Sequence, residues 1–245
     1  MKKIGAIILA AGKGTRMKSR DVNKVAMHLA DKPMILHTVD LLEKLDIKKI
    51  VVVVGFAKES VMKILKGKAE FAEQRKRLGT AHAVKSALIK LSSDTENVLV
   101  LNGDDSAFYS EEIIKKLVTK HLNDNAAFTF LTIEKDNPYG LGRVVRNGDD
   151  RIKAIVEEKD ATKIQRKIIE VNPACYIFKL KFLKKYLPKV EKSPVTGEYY
   201  LTSLIGIGIA NKEKIETLRG GKLVWRGVNT KDELSEAQLL ISKIK

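Results

Sequence analysis

The stretch Leu9-Ala10-Ala11-Gly12-Lys13-Gly14-Thr15-Arg16-Met17 constrains this chain more than any other. It follows an apolar run, residues 4–9, that reads as a buried strand. Small residues let backbone N–H groups approach an anion closely, and the cations beside them neutralise its charge. A strand followed by such a loop holds the phosphate chain of a nucleotide. The spelling excludes two commoner glycine-rich loops. A Walker loop needs Ser or Thr after its Gly-Lys, and here Gly14 follows Lys13; the dinucleotide fingerprint needs Gly or Ala where Met17 stands.

At 245 residues the chain is long enough to bury one substantial α/β core. Its 44% hydrophobic and 31% charged residues describe a soluble globular protein, with no apolar run long enough to cross a bilayer. Lys2 and Lys3 before the first apolar run look superficially like the start of a leader. Lys13, Arg16, Lys18 and Arg20 then stand where a cleavage region is small and uncharged, so a cytoplasmic location is expected. The single cysteine, Cys175, excludes an internal disulfide and a thiolate zinc cluster; its apolar neighbours make it a core thiol. The net charge of +16 raises the question of nucleic acid. Only 6% of residues are aromatic and no basic stretch interleaves with them. Nucleic acid is therefore not expected as the main partner, whereas small polyanionic substrates steered by a positive field are.

Hydrophobic patterning predicts an α/β fold. Residues 4–9, 50–54 and 98–101 are continuous apolar runs, as strands covered on both faces read. Between them lie helical patterns. Pro33 suits a first helical position before Ile35, Leu36, Val39 and Leu42; residues 80–91 form a second helix. Ser110 caps a third, with Glu111 and Glu112 in its first turn and Lys120 and His121 near its end. This order predicts a mainly parallel sheet with helices on both faces. Further on, residues 126–133, 143–146, 152–157 and 171–178 are strand-like, with turns at Asn137-Pro138-Tyr139-Gly140 and a hairpin closed by Asn147-Gly148-Asp149-Asp150. Helices return at 181–187 and 198–210, and a capping box of Thr230 and Glu233 starts the last. No internal repeat is present. The reading is one domain over 1–245: a nucleotide-binding half at 1–125, an acceptor half at 126–228 and a C-terminal helix at 229–245.

In open α/β sheets ligands bind beyond the carboxyl ends of the strands. Three features fall there: the opening loop, Asn102-Gly103-Asp104-Asp105 after residues 98–101, and Gly227-Val228-Asn229 after a strand-like run at 223–226. A carboxylate beside a phosphate site suits Mg2+, which takes one or two carboxylates plus phosphate oxygens. Gly-Asp-Asp equally suits a turn or cap. Leu78-Gly79-Thr80-Ala81-His82-Ala83 opens a helix with N–H groups and a hydroxyl for a base or phosphate, or simply with a cap. Lys24, one of many lysines, is a candidate for neutralising phosphate. No nucleophile elbow or zinc helix occurs. Nucleotidyl transfer to a phosphate needs neither; it needs positioning, charge neutralisation and a metal.

Taken in order, residues 9–17, 78–83, Gly103-Asp104, 139–143, 155–162, 170–172 and 197–202 resemble the sugar-phosphate nucleotidyltransferases, most of all the N-acetylglucosamine-1-phosphate uridyltransferases. The resemblance covers nearly the whole chain. It implies a Rossmann-like mixed, mainly parallel sheet of the nucleotide-diphospho-sugar transferase type, and Mg2+-dependent joining of UTP and a sugar 1-phosphate with release of pyrophosphate. It implies that Leu9, Ala10, Ala11 and Gly12 hold the uridine and Gly14, Thr15 and Arg16 the triphosphate. Arg16 and Lys24 would stabilise charge on the pyrophosphate. Gln74, Gly79 and Thr80 would read the base beside Asn102 and Gly103; Gly142, Glu157 and Asn172 would hold the sugar; Asp104 and Asn229 would bind Mg2+.

The chain departs from the family pattern at four places. Val22-Asn23 stands where Leu-Pro is common, with one extra residue between Arg16 and Lys24. Asp105-Ser106 follows Gly103-Asp104, which makes Asp105 an alternative metal ligand. Pro173-Ala174 replaces Thr-Gly after Asn172, which removes a hydroxyl and an N–H donor. No hexapeptide repeat is present, so acetyl transfer is not expected of these residues. Other nucleotides (CTP, dTTP), other acceptors (glucose 1-phosphate, phosphocholine), a catalytically silent nucleotide-sugar sensor and a homo-oligomer stay open.

Overall fold

The computed structural model describes residues 3–17 and 21–243. Lys2, Lys18 and Arg20 lie outside the described residues, as do the last two positions of the C-terminal segment. The sheet strands are Ile4–Ala10 (β1), Lys49–Val54 (β2), Glu70–Glu73 (β3), Asn97–Asn102 (β4), Phe128–Glu134 (β5), Gly142–Arg146 (β6), Ile152–Val156 (β7), Glu170–Asn172 (β8), Tyr176–Lys179 (β9) and Ile215–Arg219 (β10). The α-helices are Met34–Lys44 (α1), Lys58–Ile64 (α2), Thr80–Ala87 (α3), Glu111–Asn123 (α4), Leu180–Tyr186 (α5), Ser203–Ala210 (α6) and Lys231–Ile241 (α7).

β1 lies between β2 and β4, parallel to both, with Ile7 opposite Val51 and Val100. Strands in this position are covered on both faces, which is why they read as unbroken apolar runs. Alternate residues point to opposite sides. Ala6, Ile8, Val52 and Leu101 pack in a core with α1, α4 and α7, whereas Ile7, Val51, Val53 and Val100 pack with α3, α5 and α6. The spatial order is β3-β2-β1-β4-β9-β5-β8-β6-β7, with β10 added in parallel to β5. Beyond β4 the pairings along this path are antiparallel. The part of the sheet from β3 to β4 is thus parallel and the remainder mostly antiparallel, in one continuous sheet. The described residues contain no helix long and apolar enough to cross a membrane.

Several expected elements differ from the structure. The run at 171–178 is two strands, not one. Pro173 has no N–H to give a ladder, and Ala174 takes a left-handed φ of +58°. The helix expected at 198–210 begins only at Ser203, because the preceding residues cross the start of α3 as an extended strap. Residues 223–226 form no strand. The helix expected at 80–91 gives way after Ala87 to a 3-10 turn, Leu88–Lys90. Pro33, expected at the first helical position, stands just outside α1 and makes no side-chain cap. The hairpin at Asn147–Asp150 joins β6 to β7 as expected.

Candidate active site

The opening loop, the start of α3 and the turn after β4 meet over the carboxyl ends of β1 and β4. They enclose a cleft of about 600 Å3. Among its lining residues are Leu9, Ala10, Ala11, Gly12, Gly14, Thr15, Lys24, Gln74, Gly79, Thr80, Asn102, Asp104 and Asn229. These five stretches of sequence, with Glu198 as a sixth, line one cleft. Arg16 lies just beyond the loop in a short 3-10 turn, exposed to solvent. Gly103 is buried beneath the cleft; its N–H donates to Leu9 O at 3.1 Å, and a Cβ there would meet Ile35 at 2.8 Å.

The strongest electrostatic feature is Lys24. Its ammonium donates to Asp104 Oδ2 and, at 2.9 Å, to Asn229 Oδ1. The lysine and aspartate side chains are mostly buried, so solvent screens the pair weakly. One cation thus joins the two residues expected to hold a metal, although they stand 125 positions apart in sequence. Asn229 is not delivered by a strand end. Its backbone N–H and that of Thr230 both donate to Glu233, in the capping box that starts α7. Val228, fully buried, anchors the same turn.

A carboxylate and an amide oxygen converging on one point are hard oxygen donors suited to Mg2+, with nucleotide phosphates left to complete its shell. Among the described residues no three His, Cys, Asp or Glu side chains converge to hold a metal unaided. Asp105 does not share this position. It is buried, 2% exposed, below the cleft; Oδ2 accepts from Asn102 and Oδ1 has no hydrogen-bond partner. Burial, and then the charge of Asp104, push its pKa well up. Asp105 thus lies below the cleft and not beside Lys24 with Asp104 and Asn229.

The residues at the start of α3 are locked to a distant segment. Gly79 has φ +102°, and a Cβ there would fall 2.5 Å from Tyr199 O, so only glycine fits. Tyr199 and Leu78 pair through their backbones, Ala81 N donates to Tyr199 O, and Leu201 N donates to the Thr80 hydroxyl at 2.9 Å. Thr80 therefore holds the strap as well as lining the cleft. Gln74, also lining it, donates to Gly79 O and to His82 Nδ1, both at 3.0 Å.

Gly142, Glu157 and Asn172 form a separate group. Asn172 on β8 pairs with Gly142 on β6, and a Cβ at Gly142 would lie 3.5 Å from Glu157 Oε2. Glu157 accepts from the Thr202 hydroxyl at 2.9 Å, and burial raises its pKa. The Asn172 amide donates to Tyr176 Oη and its oxygen accepts from Ala174 N. Glu157 lines a second cleft of about 470 Å3 with Asp160, Tyr200 and Thr202. Glu198, on the same strap, lines the first cleft, so the strap runs between the two.

Lys13, one of the loop cations read from the sequence, lines the cleft, whereas Arg77, Asn23 and Glu198 were missed as cleft residues. Glu198 sits inside a quoted motif and was legible by position. Arg77 had only its place before Leu78-Gly79 as a signal, and Asn23 showed only as a departure from a pattern. Cys175 is a buried free thiol whose pKa burial pushes well up, as a core residue.

Comparison with known proteins agrees with this geometry. Bifunctional protein GlmU of Caldicellulosiruptor saccharolyticus is 42% identical over 240 residues, covering 97% of this chain and 51% of that protein. Bifunctional protein GlmU of Geobacillus thermodenitrificans is 38% identical over 242 residues, covering 98% and 52%. The chain spans about half the length of these curated relatives. A solved structure from Bacillus anthracis, provisionally described as a glucose-1-phosphate thymidylyltransferase in complex with a sucrose, superposes with a TM-score of 0.80 over 99% of this chain and 96% of that one, at 21% identity. That likeness establishes the shared Rossmann-like fold. The glycine-rich opening loop and a carboxylate–amide pair held over the ends of parallel strands accompany a match of residues 5–243 to the Nucleotidyl transferase family model, and the chain belongs to that family.

Proposed function

We propose that this chain transfers a uridylyl group from UTP to a sugar 1-phosphate, N-acetylglucosamine 1-phosphate fitting its resemblances best, to give a UDP-sugar and pyrophosphate. The observation that carries the reading is the cluster of Lys24, Asp104 and Asn229 at the mouth of the phosphate loop. The acceptor's phosphate oxygen is already ionised near neutral pH, so no general base is required. That oxygen forms a bond to the α-phosphorus as the bond to the β-phosphate oxygen breaks, and the electron pair leaves with pyrophosphate. Opening-loop N–H groups, Arg16 and Lys24 would orient the triphosphate and offset the charge that builds on the leaving group. Gln74, Gly79 and Thr80 would form the base side; Gly142, Glu157 and Asn172 would form the acceptor side. Bound at Asp104 and Asn229, Mg2+ would supply a Lewis acid for the phosphate oxygens. A lone buried thiol suits the reducing cytoplasm.

A pyrophosphate-release assay across UTP, CTP and dTTP with several sugar 1-phosphates and phosphocholine tests this directly. Turnover with UTP and a sugar 1-phosphate, with the product mass of a UDP-sugar, is the expected outcome. Folded protein that binds nucleotide but turns over no pair in the presence of Mg2+ would point instead to a silent sensor.

A further inference from the structure

We propose that Asn23 is a positioning residue of the reaction, whose amide ties the phosphate loop to Lys24; this rests on the functional reading above. Asn23 is 1% exposed, yet its side chain is fully used. Nδ2 donates to Phe56 O at 2.7 Å and Ala10 O at 3.0 Å, and reaches Gly12 O at 3.3 Å. Those carbonyls belong to the end of β1, the opening loop and the loop between β2 and α2. Oδ1 accepts from Val25 N at 3.1 Å, which caps the 3-10 turn that begins at Lys24. The backbone N–H donates to Ser60 Oγ at 3.0 Å, and that hydroxyl donates to Ala57 O.

The carbonyls of Ala10 and Gly12 bracket the point where the loop leaves the sheet. Holding both fixes the direction of the N–H groups that follow. Lys24 comes next in the chain, and its stem lies against Gly14: a Cβ at Gly14 would sit 3.1 Å from that of Lys24. Its ammonium then reaches Asp104 and Asn229. Asn23 thus sets both the loop and the turn that aims the lysine across it. A proline at this position could cap nothing and donate nothing. The residue that makes this segment depart from the family pattern is also the one that delivers Lys24.

The test combines a double-mutant cycle with a chemical readout on the full chain. Asn23→Ala is expected to lower kcat about tenfold or more, but to change it less than about twofold in a Lys24→Ala background, because groups that act through one another are not additive. Competitive acetylation read by mass spectrometry is expected to show Lys24 several-fold more reactive in Asn23→Ala, with Lys32, which pairs with Asp40, unchanged as a control. Additive losses, or unchanged labelling of Lys24, would overturn the proposal. If Asn23→Ala does not fold, Asn23→Ser is read in the same way. Absence of turnover with every substrate pair in the unmodified protein sinks the functional reading, and labelling still decides whether Asn23 aims Lys24.

Discussion

At the scale of single residues, two neighbours with one chemistry part company by burial alone. Asp104 faces the cleft against Lys24, while Asp105 lies beneath it with an unpartnered oxygen and a pKa pushed up by burial. Asp104→Ala is expected to lower Mg2+-dependent turnover by about a thousandfold, the scale set by removing a key electrostatic group. Asp105→Asn, close in shape to a protonated carboxyl, should keep turnover within about threefold, because the neutral form is the one that burial favours. Comparable losses in both variants would contradict this division. The spelling Gly-Asp-Asp gives no hint of which carboxyl points inward; only the family resemblance put Asp104 first. Lys24 supplies a further expectation at this scale. Its ammonium already occupies the space between the Asp104 and Asn229 oxygens, so it competes with a divalent cation for them. Lys24→Met should bind Mn2+ in the absence of nucleotide about tenfold more tightly, as loss of a nearby like charge dictates, while turnover falls. Free Mn2+ measured by electron paramagnetic resonance checks this, and an unchanged affinity would exclude competition.

Elements whose signals are local were read well, and those that depend on partners were not. α4 carries its cap, its acidic first turn and its basic last turn in the sequence, and Ser110 does accept from Ile113 N. The start of α6 depends on the strap before it, which is held by the start of α3, whereas the break at Pro173 was a local signal that the patterning passed over. His121 illustrates the limit within a correctly read helix. Its position suggests a cation completing the dipole, but it is fully buried, and its ring bonds to the Thr129 hydroxyl at 2.9 Å and to Asn97 Oδ1 at 3.1 Å. An amide oxygen can only accept, so Nε2 donates; in the neutral ring that burial favours, Nδ1 then accepts from the hydroxyl. Burial, with a smaller contribution from Lys179, lowers its pKa from 6.5 to about 4. The unfolded chain therefore takes up a proton between these values while the folded chain does not. Stability from this group is present above pH 6.5 and falls as pH drops towards 4, by about 2 kcal/mol at pH 5 from proton linkage. Urea midpoints at pH 7 and pH 5 should converge less in the wild type than in His121→Gln, which lacks the titrating ring; equal pH dependence in the two would refute the assignment.

At the scale of the whole molecule, the early parallel strands were legible because burial on both faces leaves an unbroken apolar run. The sheet's full extent was not, since β3 and β10 are short and only partly buried, and their place is fixed by β2 and β5. The candidate site shows the same division. The opening loop announced itself, whereas Asn229 owes its place to a helix cap that sequence reading placed after a strand. Net charge is the one global property that needs no fold to be read, and the +16 has a kinetic consequence. A nucleoside triphosphate is a polyanion, so a positive field raises its rate of encounter, and salt weakens that field over about 10 Å at 0.1 M. The bonds made once substrate is bound lie in a cleft where salt screens them far less. Raising ionic strength from about 0.05 to 0.5 M should therefore lower kcat/KM for the nucleotide several-fold while kcat changes little, the pattern expected of electrostatic steering. Binding to duplex or single-stranded nucleic acid, if only the same surface charge drives it, should disappear over the same range. Steady-state kinetics and a binding titration across one salt series separate the alternatives. A kcat/KM insensitive to salt would mean the lysines merely coat helix surfaces, and nucleic-acid binding that survives high salt would assign the charge a different partner.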